Sequence, residues 1–337
     1  MVLVESYPVA VLMCIITMIC WGSWANTQKL ASKEWRFQLF YWDYCLGVLL
    51  LTLLFAFTLG STGENGRGFL DDLQQAEGKY IAYAMLGGVI FNIANILLVA
   101  AIDIAGMAVA FPIGIGLALV IGVITTYRVD PSGNPVLLFT GVACVAAAII
   151  LDALAYRRIP SSGQKTTAKG IVLSILCGVL MGQFFQFVAA AMPPLDRIAD
   201  SEMAGRLTPY TALVFFAIGL FLSSFVVNSL VMMKPFVGDP VPFSDYFTKG
   251  SLRLHAVGIV GGIIWGVGMS FAILAGDTAG YAISYGLGQG ATMVAALWGV
   301  FVWKEFQDAR VGTNRLLGFM FALFVVGLAL IVYANID

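Results

Sequence analysis

Residues 87–122 read GGVIFNIANILLVAAIDIAGMAVAFPIGIGLALVIG, and residues 261–296 read GGIIWGVGMSFAILAGDTAGYAISYGLGQGATMVAA. Superposed without a gap at an offset of 174, they pair Gly87-Gly88 with Gly261-Gly262, Ile90 with Ile264, Ala101 with Ala275, Asp103 with Asp277 and Ala105-Gly106 with Ala279-Gly280. Ala108, Gly114, Gly116 and Val120 then meet Ala282, Gly288, Gly290 and Val294, which makes 11 identities in 36 positions. Glycine- and alanine-rich helices share some of these by composition alone, but a matched aspartate in so apolar a setting is not explained that way. Each stretch is two apolar runs joined by a turn so tight that the runs must be neighbouring antiparallel helices.

The same apolar character extends along the whole chain. Of 337 residues 60% are hydrophobic and only 11% charged, with a mean hydropathy of +0.92. A soluble domain carries roughly a quarter charged residues, so this surface faces lipid. At about 20 apolar residues per crossing, spans fall near 5–27, 37–59, 80–100, 106–127, 135–156, 169–192, 208–232, 253–275, 281–302 and 314–334. The fold expected is an all-α polytopic membrane protein of ten transmembrane helices, with no room for a soluble domain. The first run, from Pro8 to Ala25, has no basic segment before it and no small-residue cleavage pattern after it, so it reads as a span and not a signal peptide.

The repeat lays span 3 on span 8 and span 4 on span 9. A shift of five is odd, so a second five-helix unit inserts upside down relative to the first. The expected organisation is therefore two inverted repeats, 1–160 and 161–337, an architecture of carriers that rock around a central site. Lysine and arginine give the orientation. Loops after spans 1, 3, 5, 7 and 9 carry 13 of them, and the opposite side carries 5. Both termini are expected outside the cytoplasm, in a plasma membrane, or the inner membrane of a bacterium.

Polar side chains at membrane depth are expensive unless paired or wet, so each is a candidate for a solute site. Asn92 and Asn95 share a face of span 3, Gln183 and Gln186 share one of span 6, and span 9 lines up Tyr281, Ser284, Tyr285, Gln289 and Thr292. Trp21, Trp24, Trp265 and Trp298 could stack on a ring, and glycines flank Trp21 and Trp265. Neutral amides, hydroxyls and aromatic rings suit a neutral, hydrogen-bonding solute. The competing reading of these residues is interhelical hydrogen bonding, on the order of 0.6 to 2 kcal/mol each, and for tryptophan an interfacial position.

Asp43, about six residues into span 2 and flanked by Trp42 and Tyr44, is a candidate proton carrier. The alternative is an aspartate favoured by the helix dipole and paired with Arg36 or Lys33. Asp152, Lys304 and Glu305 read as anchors or gate contacts at cytoplasmic helix ends, and His255 as interfacial. The glycines of spans 4 and 9, with Pro112, allow close crossings and also bending. Cys14, Cys20, Cys45, Cys144 and Cys177 lie in apolar runs without zinc or disulfide spacing. No metal, cofactor or nucleotide site is expected, and the net charge of -1 without a basic block argues against nucleic acid.

Trp42-Asp43-Tyr44, Phe57-Thr58-Leu59-Gly60, Ala94-Asn95, Ala279-Gly280-Tyr281-Ala282 and Trp298-Gly299-Val300 running to Glu305 resemble the ureide permease family. That family belongs to the drug/metabolite transporter superfamily, alongside glucose/ribose porters and rhamnose/proton symporters. The resemblance implies ten helices in two inverted repeats, a central cavity and secondary transport that is often proton-coupled. Two departures stand out. The loop between spans 5 and 6 is short, and its Gly163-Gln164-Lys165-Thr166 lacks the glycine-lysine-threonine core of a phosphate loop. Ser61 stands where plant members tend to have glutamate.

The expected function is a secondary active permease for a small neutral polar metabolite, such as a sugar or a ureide or nucleobase derivative, coupled to a proton or sodium ion. An exporter of drugs or amino acids in the same superfamily is the alternative substrate class. A membrane-embedded enzyme is a different class, disfavoured by a single histidine and no HExxH or Ser/His arrangement. A channel or a non-transporting sensor is the third.

Overall fold

The computed structural model describes residues 1–31, 34–63, 66–160, 167–193 and 204–336. Among the described residues, ten helices are long and apolar enough to cross a membrane: α1 (Tyr7–Ala31), α2 (Phe37–Phe57), α3 (Gly78–Ala105), α4 (Phe111–Val129), α5 (Pro135–Tyr156), α6 (Ala168–Ala190), α7 (Pro209–Met233), α8 (Leu252–Ala279), α9 (Tyr281–Val302) and α10 (Thr313–Tyr333). They correspond in order to the ten expected spans. A hydrocarbon core offers the backbone no water, and each helix satisfies its own amides and carbonyls.

Local sequence sets where helices start. Pro8, Pro135 and Pro209 occupy first-turn positions, where the missing N–H is no loss. Asn134 accepts from Val136 N and Leu137 N, and Thr167, Thr208 and Ser251 cap α6, α7 and α8 in the same way. The two matched hairpins turn on Gly106 (φ 77°) and Gly280 (φ 88°), conformations that side-chain-bearing residues avoid. Apolar side chains such as Leu12, Ile19, Phe225, Val226, Phe319 and Val325 point outward to lipid.

Packing follows a regular scheme. α3 packs on α6 and α7, while α8 packs on α1 and α2; α4 meets α6 and α9, α9 meets α1 and α4, α2 lies on α7, and α5 on α10. Exchanging each helix with the one five places along leaves this set unchanged. The closest crossings obey the same exchange. A Cβ on Gly88 of α3 would lie 2.0 Å from the carbonyl oxygen of Phe216 in α7, and one on Gly219 of α7 would lie 2.2 Å from that of Met85. In α8 and α2 the counterparts are Gly262, 2.0 Å from Tyr44 O, and Gly47, 2.2 Å from Ile259 O. Backbone touches backbone at both places.

Four helices are irregular, and they form two exchangeable pairs. α1 turns at Trp24 between Tyr7–Ser23 and Ala25–Ala31, and α6 breaks at Gly182-Gln183 between Ala168–Met181 and Phe184–Ala190. α4 is entered through a π-helical turn, Phe111–Ile115, that includes Pro112, whereas α9 breaks at Gln289-Gly290 and ends in a π turn, Trp298–Val302. Discontinuous helices of this kind surround solute sites in membrane carriers.

Gly88→Ala and Gly262→Ala are each expected to lower the thermal stability of the purified protein by about 1–3 kcal/mol through overpacking. Gly318→Ala, where nothing lies within 4 Å of the new Cβ, is expected to leave it unchanged. Melting curves in detergent check the contrast, and equal melting of all three variants would contradict it.

Candidate functional site

A cavity of about 180 Å³ lies among the irregular helices. Its wall is built from the last turns of α1 (Trp21, Trp24, Gln28), the second half of α3 (Phe91, Asn95, Ile102), the π turn of α4 (Phe111, Ile115) and the break in α6 (Met181, Phe184). Trp265 of α8 and Gln289, Thr292 and Ala295 of α9 complete it. These positions run from mid-membrane toward the face that carries the basic loops. Among the described residues no charged side chain lines the cavity.

Toward the opposite face the cavity ends on a layer of rings. Trp265 stacks on Trp21 with centroids 5.9 Å apart, and it meets Phe91 at 4.3 Å and Phe216 at 5.9 Å. Beyond that layer the termini tie the helices together: Tyr210 OH donates to Val2 O at 3.0 Å, Thr278 Oγ1 to Val4 O, Tyr7 OH to Val332 O, and Asn134 N to Ala334 O at 2.6 Å. The rings of Trp21, Phe91 and Trp265 thus bound the cavity near mid-membrane, and the rest of its lining lies toward the basic face.

The structure brings Trp21, Trp24, Asn95, Trp265, Gln289 and Thr292 together in this wall and places the other expected residues elsewhere. Asn95 Nδ2 donates to Tyr41 OH at 3.4 Å, which aims its amide across to α2. Asn92 is fully buried and donates to Ser223 at 2.7 Å, joining α3 to α7. Gln186 bonds Gln183 on its own helix. Tyr285 OH donates to Ala118 O (3.3 Å) and Met181 O (3.2 Å), joining α9 to α4 and α6, and Tyr281 is buried beside Phe185. Gln28, Phe91, Phe111 and Phe184 also line the cavity without having been singled out from the sequence. Trp298 lies outside the wall, its Nε1 donating to Ser23 Oγ at 2.9 Å.

Asp43 is 1% exposed and sits outside the cavity, at the basic-face ends of α2 and α8. Its carboxylate meets His255 Nδ1 at 2.9 and 3.1 Å, and it accepts from Tyr246 OH (2.5 Å) and Trp35 Nε1 (3.3 Å). Arg36 is not its partner: Arg36 Nη1 donates to the carbonyl of Asp239, 2.8 Å away. Lys33 lies outside the described residues, as does the Gly163–Thr166 loop segment. Tyr246 belongs to a short helix, Asp245–Thr248, in the loop before α8. Burial, and then the Asp43 carboxylate it serves, hold its hydroxyl above the usual tyrosine range. His255, read from sequence as interfacial, is the residue that ties α8 to Asp43.

With ten helices around a neutral, aromatic-walled cavity, comparison with known proteins decides the family. The sequence profile of the ureide permease family matches residues 40–158 and 153–334. The chain belongs to that family. It is similar to ureide permease 4 and ureide permease 1 of Arabidopsis thaliana, at 24% and 23% identity over 99% of each chain. Over a shorter stretch it is 30% identical to a "Probable glucose uptake protein GlcU" of Staphylococcus aureus, covering 26% of this chain and 29% of that one. One solved structure superposes on 96% of both chains at a TM-score of 0.56 and 16% identity, a likeness of fold. The protein is thus a multi-pass membrane transporter of the permease type, with a small-molecule substrate.

Proposed function

We propose that the protein is a secondary carrier that moves a small, neutral, ring-containing polar metabolite across the membrane by alternating access. The cavity carries this reading. Its polar lining is Gln28, Asn95, Gln289 and Thr292, set among Trp21, Trp24, Phe91 and Trp265. Amides and a hydroxyl both donate and accept, and flat rings offer stacking faces. A charged solute in so apolar a wall would require a counter-charge. A cyclic, allantoin-like ureide, dense in carbonyls and N–H groups, matches that chemistry, and the Arabidopsis relatives carry ureides in their names. A sugar is the second reading, favoured by the GlcU segment and by the way sugar rings also stack on indole faces. The substrate undergoes no reaction in this scheme, and we read the protein as a carrier and not an enzyme.

In this mechanism the two five-helix units, 1–160 and 161–337, have opposite orientation in the membrane and rock against each other. Closing the basic-face mouth while parting the ring layer around Trp265 would turn the cavity toward the other side. The exchange symmetry of the packing supports the two states having similar energy. The basic face is assigned to the cytoplasm of a plasma membrane, with both termini outside. Coupling to a proton is assigned to Asp43, whose bonds to His255 and Tyr246 join α2, α8 and the loop between α7 and α8. A proton on Asp43 would loosen that three-way joint at the closing end of the bundle.

Thermal-shift or tryptophan-quenching titrations against allantoin-like ureides, nucleobases, sugars and amino acids test the cargo. Asn95→Ala and Gln289→Ala are each expected to weaken binding of the best ligand about five- to tenfold, the worth of one hydrogen bond. Unchanged affinity in both variants would remove this cavity as the site. For coupling, Asp43→Asn is expected to abolish uphill, pH-driven uptake in proteoliposomes while exchange down a gradient persists. Uphill uptake at the wild-type rate would remove Asp43 from the coupling step.

A further inference from the structure

A second acidic group lies at the basic-face end of α5, apart from both the cavity wall and Asp43. Asp152 is 5% exposed, and its Oδ1 is sealed from solvent with no hydrogen-bond partner. Four residues on, and so on the same face of α5, Tyr156 donates its hydroxyl to Glu305 Oε2 at 2.9 Å. Glu305 Oε1 is paired with Lys29 Nζ of α1 at 2.6 Å. Asp152 lies within electrostatic reach of Glu305.

The backbone that presents Glu305 is shaped for it. α9 ends in the π turn Trp298–Val302, Glu305 N donates to Gly299 O at 2.9 Å, and Lys304 adopts φ 53°, the one non-glycine residue with positive φ among those described. A Cβ on Gly299 would lie 3.0 Å from both Glu305 Oε2 and Tyr156 OH, so glycine leaves room for the contact. π turns and left-handed non-glycine residues are departures that concentrate at functional sites.

Charge in this cluster does not balance. Lys29 offsets one carboxylate, Tyr156 is already committed to Glu305, and the second carboxylate keeps an oxygen with no donor. A buried anion in that position is expensive. Among elements packed near this end of α5, α10 carries Arg315 in its first turn, the neighbouring loops carry Arg157, Arg158, Lys304, Asp308 and Arg310, and α4 carries no charged residue at its adjoining end. Arg158 and Arg310 are joined through their backbones, Arg310 N donating to Arg158 O at 3.2 Å.

We propose that Asp152 and Glu305, the latter held by Tyr156, form a proton-binding site that takes one proton from the aqueous phase on the basic face. One O–H bond forms, the carboxylate pair goes from two negative charges to one, and no other reactant is needed. The remaining charge is matched by Lys29. Lys29 follows the cavity residue Gln28 on the final turns of α1, and that segment is also held to the end of α9 by Trp298 to Ser23 (2.9 Å) and Trp303 to Asn26 (2.6 Å). Proton occupancy therefore sets how the cavity-lining end of α1 is held against α9.

The test is an infrared pH titration of the full-length protein in liposomes, following the carbonyl band of protonated carboxyl groups. We expect a titrating band that Asp152→Asn removes, that Glu305→Gln and Tyr156→Phe each shift by about one pH unit, and that Asp43→Asn leaves in place. The proposal is overturned if Asp152→Asn leaves every titrating band intact, if only Asp43→Asn removes one, or if sodium at fixed pH displaces the band. Should Asp152→Asn fail to fold, as a melting curve would show, the Glu305→Gln and Tyr156→Phe arms decide: an unshifted midpoint in both overturns it. The readout involves no transport, so it stands or falls separately from the identity of the cargo.

Discussion

Two pairs of helices crossing backbone to backbone hold this bundle in place. Gly88 and Gly219 let α3 meet α7, and Gly47 and Gly262 let α2 meet α8, at distances where an added Cβ would lie 2.0–2.2 Å from a carbonyl oxygen. In lipid there is no hydrophobic penalty to drive helices together, so contact of this kind, with dispersion and buried hydrogen bonds, carries the association. The crossings fix α2, α3, α7 and α8 as a frame. The irregular helices α1, α4, α6 and α9 hang on that frame and enclose the cavity between them.

The ring layer around Trp265 follows from the same frame. α8 is held against α2 by Gly262, which sets Trp265 one turn further on between Trp21, Phe91 and Phe216. Those rings form one part of the cavity wall, and the neutral amides Asn95 and Gln289 form another. The two acidic clusters sit outside the wall, at the basic-face ends of the helices that would move. A carrier arranged this way can keep a neutral binding site for its cargo and place protonation at the joints.

Much of the fold was legible in the sequence because lipid imposes one rule on every span: about twenty apolar residues and few charges. The paired aspartates at Asp103 and Asp277 and the glycines beside them marked the hairpins, and Gly106 and Gly280 turn there. The site was read less completely. Gln289 and Asn95 lie on the cavity, but Asn92 and Tyr285, also polar and on the same helices, join helices instead. Helical spacing fixes which residues share a face; it does not say whether that face meets a cavity or a neighbour. Nor did local pattern show that His255 pairs with Asp43, 212 residues away, because nothing in either neighbourhood encodes the other. The glycines of spans 4 and 9, with Pro112, pointed to bending in α4 and α9, whereas nothing was read at the Gly182-Gln183 break in α6.

Solute counterflow tests the central claim, that one cavity is exposed in turn to each face, most directly. Proteoliposomes are loaded with an excess of unlabelled ligand and diluted into a trace of labelled ligand with no ion gradient. Alternating access predicts transient accumulation of label inside above its external concentration, followed by decay. A protein that binds the ligand yet shows only passive equilibration, or no entry at all, would contradict it.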